Sequence, residues 1–214
     1  MRRLAISLLL LCLVAGPVVA DDLVPPPWRG QPGSSWAGWA FLSAESPIAP
    51  DIGNWPYGMP MAQPLPGVGQ YYLPQWGGRE GVWPLSGEIW IDMPNRPEPN
   101  EYKDIWVQLT WAQQASNVSP IVYFMLDRGG TGMTVMPETG RQVLGATGDP
   151  GGDGLWYHSV YYLRWYPNVP FEVIAVTGAV NVDQVVIDTI CIPEPLSVGL
   201  LAAGSVALLV RRRR

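Results

Sequence analysis

The sequence predicts an all-β protein, an antiparallel β-sandwich of jelly-roll type, on three observations. From Ser86 onward, apolar residues alternate with polar ones at period two, in short runs bounded by Gly, Pro, Asn or Asp. The chain holds 24 Gly and 23 Pro, residues that favour turns and short strands over long helices. No helical period appears before the C-terminal tail, and no repeat of fixed period runs through the chain. Many short strands separated by turn signals are the pattern of a sandwich.

The elements follow in chain order. Residues 1–20, MRRLAISLLLLCLVAGPVVA, join Arg2 and Arg3 to an apolar run over Leu4–Val14 and a small-residue exit at Val18 and Ala20. That is the build of a secretory signal helix cut after Ala20 by signal peptidase. The run is shorter than the ~20 residues of a membrane span, which argues against a permanent anchor. Three leucines before Cys12 argue against a lipoprotein, whose site wants a small residue there.

The body, 21–190, divides by texture. Residues 21–84 are rich in Pro, Gly and Trp and predict irregular loops, with short strands near Trp36–Leu42 and Gly69–Leu73. Residues 85–190 predict strands. EIWIDM alternates. In DIWVQLTW, Ile105, Val107, Leu109 and Trp111 fall on one face, and Trp106, Gln108 and Thr110 on the other. The first set faces the core and the second faces water or a partner layer. PIVYFML, LWYHSVYYLRW, FEVIAV and VDQVVIDTI complete the strands.

Residues 191–214 form a distinct segment. Leu196–Val210 carries no charge and Arg211–Arg214 closes the chain. With the preceding prolines, the run predicts a single C-terminal transmembrane helix over 193–210, its arginines held on the cytoplasmic side.

Pro193-Glu194-Pro195, the apolar run, and Arg211, Arg212, Arg213 and Arg214 together resemble the PEP-CTERM sorting signal of Gram-negative bacteria. The resemblance covers only about the last 22 residues, with all three parts in order at the C-terminus. It implies an exported protein, membrane-anchored by its C-terminal helix until an exosortase-type enzyme recognises the tripeptide. The product then belongs to the cell envelope, the surface or the extracellular matrix. Separately, FEVIAVTGAVNVDQVVIDTI resembles the closing strands of jelly-roll and carbohydrate-binding modules, and implies no more than the fold.

Charge excludes one class of partner. Of 13 basic residues, Arg2, Arg3 and Arg211–Arg214 lie in the end segments, leaving seven; of 18 acidic residues only Glu194 lies there, leaving 17. A body near −10 repels nucleic acid phosphate. Once Cys12 leaves with the signal, Cys191 stands alone and no internal disulfide forms. It reads as an inert membrane-edge thiol, an intermolecular disulfide partner or a lipid attachment point.

Catalytic signals are weak. His158, the only histidine, lies on a strand and reads as half-exposed; there is no Gly-x-Ser-x-Gly elbow, P-loop or dinucleotide fingerprint. Glu88 and Asp92 share a strand face about 13 Å apart, too far for either glycosidase geometry. Glu80, Asp127, Glu172 and Asp188 are left as acids that only cross-strand pairing would bring together. Asp149 and Asp153 in GDPGGDG are candidate calcium ligands, or the hydrogen-bonding acids of a plain Gly-rich turn. No other cofactor is implied. Trp28, Trp36, Trp39, Trp55, Trp76 and Trp83 sit in Pro/Gly-rich surroundings and are candidate platforms for stacking sugars; the same rings also serve as core padding. The sequence thus predicts a non-enzymatic binding or structural module, with exopolysaccharide as candidate ligand. The alternative is a secreted carbohydrate-active hydrolase on the same scaffold.

Overall fold

The computed structural model describes residues 20–65, 71–97, 100–115, 117–149, 151–169 and 171–192. The signal segment up to Val19 and the tail from Pro193, with its tripeptide, apolar run and arginine cluster, lie outside the described residues.

All regular structure among the described residues is strand: β1 (Ser34–Trp39), β2 (Ile52–Asn54), β3 (Met61–Leu65), β4 (Leu73–Trp76), β5 (Arg79–Pro84), β6 (Glu88–Pro94), β7 (Tyr102–Gln113), β8 (Ile121–Met125), β9 (Thr134–Val135), β10 (Glu138–Ala146), β11 (Leu155–Trp165), β12 (Phe171–Thr177) and β13 (Val180–Ile192). They form two antiparallel sheets. The larger runs β10-β11-β7-β13-β1-β2, with the β4–β5 hairpin joined to β13 through β5; the smaller runs β3-β6-β12-β8-β9. The chain crosses between sheets eight times, from β2 to β3, β3 to β4, β5 to β6, β6 to β7, β7 to β8, β9 to β10, β11 to β12 and β12 to β13.

The facing sides of the sheets enclose one main core. Ile105, Val107, Leu109 and Trp111 of β7 and Val185 and Ile187 of β13 meet Ile89 and Ile91 of β6, Phe124 of β8, and Ile174 and Val176 of β12. The expected alternation along β7 is therefore present. Its other face is not in water, however. Gln108 and Thr110 are each 1 % exposed, because the segment Asp21–Arg29 lies over them. Val24 N donates to Gln108 Oε1 at 2.7 Å, Gln108 Nε2 donates to Asp22 Oδ1 at 2.8 Å, and Trp106 Nε1 donates to Val24 O at 2.9 Å.

β13 is buried on both faces along nearly its whole length. A bulge between Val182 and Gln184 resets its alternation. Val182 points into the core opposite Trp111, Gln184 stands opposite outward-facing Thr110, and Val185 turns inward again.

Residues 21–84 hold five short strands, β1–β5, where two were expected. Pro64 and Pro74 are tolerated because β3 and β4 are edge strands, and Pro84 is the last residue of β5. The strand expected over Trp36–Leu42 starts earlier, at Ser34, and stops at Trp39; the one expected near Gly69–Leu73 begins only at Leu73. Edge strand β10 showed no alternation in the sequence because it is exposed on both sides.

Leu109→Ala is expected to lower unfolding stability by about 2–5 kcal/mol through the cavity it leaves. Gln108→Ala strips partners from the covering segment Asp21–Arg29 and is expected to lower it by about 1–3 kcal/mol. Urea unfolding of both variants checks this; a Gln108 variant as stable as the parent would mean that the segment does not hold to the sheet.

Candidate functional site: a terminal cleft and two buried polar clusters

The first cluster lies where Asp21–Arg29 crosses the outer face of the larger sheet. Arg79 Nη1 bridges Asp21 and Asp183 at 2.6 Å each. Arg29 pairs with both Asp22 and Asp188, and its guanidinium lies 4.3 Å from the centre of the Trp36 ring. The bulge in β13 turns Asp183 and Gln184 to this side, where Gln184 Oε1 accepts from Asp21 N. His158 is buried, not half-exposed as expected: Nδ1 sits 3.2 Å from Thr110 Oγ1, and burial lowers the pKa of the ring. That environment suits a neutral structural imidazole. Burial pushes the Asp183 carboxyl up to about 7 and Asp188 up to about 6, against the pull of their arginines. Asp183 Oδ1 is enclosed without a hydrogen-bond partner.

The second cluster is inside the sandwich, at the opposite end of β7. Lys103 and Glu172 are both fully buried and pair across the two sheets. Asn95 lies between them. Its Oδ1 accepts from Lys103 Nζ, and its Nδ2 donates to Glu172 Oε2 at 2.7 Å and to Val169 O. Burial raises the Glu172 pKa, opposed by Lys103. Cys191 is buried on β13, which runs on to Ile192, and its Sγ donates to Asn95 Oδ1 at 3.4 Å. Burial likewise raises the thiol pKa.

The open site is a cleft of about 500 Å³ at the other end of the sandwich. Tyr71 and Trp76 flank it, and Gln113, Gln114, Asn181 and Asp149 line it. Tyr71 is 58 % exposed. Trp76 is held edge-on to Trp156 at 5.4 Å between ring centres, and Trp156 Nε1 donates to Gly77 O at 2.7 Å. This clamp fixes the β4–β5 hairpin against β11. On the far wall, Gly152 has φ +62°, and a Cβ there would meet Gln113 Cβ at 2.5 Å, so the loop approaches β7 as only glycine allows.

The six tryptophans are not one row. Trp39 is 0 % exposed and Trp83 is buried, both in the main core. Trp55 is half-buried and packs against that core, Trp36 lies under Arg29, and Trp28 is half-buried at the end of the covering segment. Only Trp76 lines the cleft. Tyr71 was missed; its place beside a Pro- and Gly-rich stretch and the hairpin turn WGGRE was the available signal.

Asp149 and Asp153 serve their own turn. Asp149 Oδ1 accepts from Gly151 N at 2.9 Å, and Asp153 accepts from Leu155 N at 3.2 Å and from the Tyr157 hydroxyl. Among the described residues no three His, Cys, Asp or Glu side chains converge to hold a metal ion. Of the other candidate acids, Glu172 is engaged by Lys103, Asp188 by Arg29, which it shares with Asp22, Asp127 by the backbone of Gly129 and Thr131, Asp92 by Arg128, and Glu88 by Trp90; Glu80 lies on β5. No protein-family model and no curated protein matches the chain.

Because the Asp183 pKa is raised on folding, the folded state holds that proton more tightly than the unfolded chain. Its contribution therefore falls as pH rises from about 4 to about 7. Asp183→Asn is expected to gain stability relative to the parent across that window and to hold the gain above it. Thermal melts of both proteins from acid to neutral pH check this; a difference independent of pH would place Asp183 in a solvated setting.

Proposed function

We propose that this is an exported envelope or matrix protein, sorted by a PEP-CTERM-type segment, whose body binds polysaccharide without catalysing its cleavage. Pro193-Glu194-Pro195, the apolar run and Arg211–Arg214 support the sorting half of this reading. An N-terminal signal helix ending at Ala20, a transmembrane helix over 193–210, signal peptidase and an exosortase-type enzyme belong to it. The interleaving of β1-β13-β7-β11 with β6-β12-β8-β9 supports a jelly roll.

The terminal cleft carries the binding half. A sugar ring presents apolar C–H faces and polar hydroxyl edges. Tyr71 and Trp76 offer aromatic surface for the faces; Gln113, Gln114, Asn181 and Asp149 offer donors and acceptors for the edges. The engagement of Glu172 by Lys103, and of Asp22 and Asp188 by Arg29, supports binding over hydrolysis, which needs two carboxyl groups free to act on the substrate. A body charge near −10 argues against nucleic acid.

Tyr71→Ala and Trp76→Ala are each expected to weaken retention on polysaccharide about tenfold, or ~1.4 kcal/mol, with circular dichroism unchanged. Release of reducing ends by the parent, lost on replacing one Asp or Glu, would overturn the reading in favour of a hydrolase.

For sorting, Glu194→Ala is expected to leave uncut precursor in the membrane fraction. Unchanged processing of that variant would remove the tripeptide from the recognition signal.

A further inference from the structure

We propose that Lys103 and Asn95 join to each other in the folded protein through an intramolecular isopeptide bond, formed with Glu172 as the catalytic acid–base. The observation is the meeting of an amine, a carboxamide and a carboxyl group in one dry site. Lys103 and Glu172 are each 0 % exposed and Asn95 is 6 % exposed. Glu172 touches both reacting groups: Oε1 meets Lys103 Nζ, and Oε2 accepts from Asn95 Nδ2 at 2.7 Å. Lys103 Nζ also reaches Asn95 Oδ1, so the amide carbon lies one bond beyond the atom it already contacts.

The chemistry balances within these three side chains. Glu172 takes one proton from the Lys103 ammonium, leaving a neutral amine and a neutral acid; charge is costly where water is excluded. The Nζ lone pair attacks Asn95 Cγ. Negative charge gathers on Oδ1, where the Cys191 thiol donates at 3.4 Å. Glu172 delivers its proton to Nδ2, the Cγ–Nδ2 bond breaks, and ammonia leaves. The second Nζ proton passes to Glu172. Lys103 and Asn95 end joined by Nζ–Cγ, one ammonia is lost, and nothing is oxidised or reduced. The three groups are held by different elements, Lys103 by β7, Glu172 by β12 and Asn95 by the turn after β6, so only the folded sandwich assembles them. Holding amine and amide together replaces a bimolecular encounter, and burial keeps out the water that would otherwise hydrolyse the amide.

The bond would close residues 95–103 and tie the end of β6, in one sheet, to the start of β7, in the other. It also removes the Lys103 charge from the interior, where an ion pair is a weak source of stability.

Trypsin digestion of the denatured full chain followed by mass spectrometry tests this. Trypsin cuts after Lys103 only if its amine is free, and does not cut Arg96–Pro97. The expected product is a single peptide spanning residues 80–128, lighter than its sequence by one ammonia. Peptides 80–103 and 104–128 at full mass from the parent protein would overturn the proposal. Glu172→Gln is expected to restore cleavage after Lys103; a bond that still forms in that variant would overturn the role of Glu172. The parent digest decides whether the bond exists even if the variant fails to fold. Cys191→Ser keeps a donor at Oδ1 and is expected to form the bond.

Discussion

The antiparallel ladder between β7 and β13 places both strands in the middle of the larger sheet, and the other strands are arranged around it. Each side of this pair is covered. Inward, Leu109, Trp111, Val185 and Ile187 meet the smaller sheet. Outward, Gln108, Thr110, Gln184 and Asp188 are polar and yet buried. Buried polar groups are tolerated only when their hydrogen bonds are made, so the outer face needs a polar cover. Asp21–Arg29 supplies it, with backbone groups and side chains aimed at the sheet. The bulge at Asp183 makes this possible, because it turns two successive polar residues outward without shifting Val182 and Val185 from the core.

The two buried charge clusters follow different logic. Under the covering segment, Asp21, Asp22, Asp183 and Asp188 share Arg29 and Arg79, so acids outnumber guanidinium groups. Burial first, and then that excess, raises the pKa of two of the carboxyls. Such a network adds less to stability than to specificity: it fixes where the segment lies. The Lys103–Glu172 pair has no such positioning task, since the strands that carry it are already registered by their ladders. An amine, an amide and a carboxyl group in a dry core are costly as ions, and they are arranged for a reaction that reduces their charge.

Much of the fold was legible in the sequence because period-two alternation reports burial directly. Ile105, Val107, Leu109 and Trp111 were assigned to the core from spacing alone, and the two antiparallel sheets follow from several such runs. Spacing left open whether water or a second layer covers the other face. Gln108 and His158 look like surface residues in a strand pattern, and only the fold shows the segment that covers them. The tryptophans do not form one set for a related reason: richness in Gly and Pro does not separate a hairpin tip from a strand. Parity does. Ala37 and Trp39 share the inward face of β1 while Trp36 faces out, whereas Trp76 stands beside the Gly77–Gly78 turn at an edge. The cleft itself draws on Tyr71, Gln113, Asp149 and Asn181, which are far apart in sequence, so no local motif announces it.

The direction of β13 ties the cleft to the sorting reading. Asn181, near its start, lines the cleft; Ile192, at its end, pairs with Tyr102 and is followed by Pro193. Proline has no backbone donor and cannot extend an interior ladder. At about 3.3 Å per residue, the eleven steps from Asn181 to Ile192 span roughly 36 Å. The cleft and the exit of the tail thus lie at opposite ends of one rigid strand. Under the proposed anchoring by residues 193–210, the body stands on the Lys103 end and carries Tyr71 and Trp76 at the end remote from the exit. That is where an envelope protein would meet a polysaccharide before its tail is processed. It is also an arrangement in which pull on the tail enters the sandwich through β13 and its ladder with β7, beside the site where Lys103 and Asn95 meet.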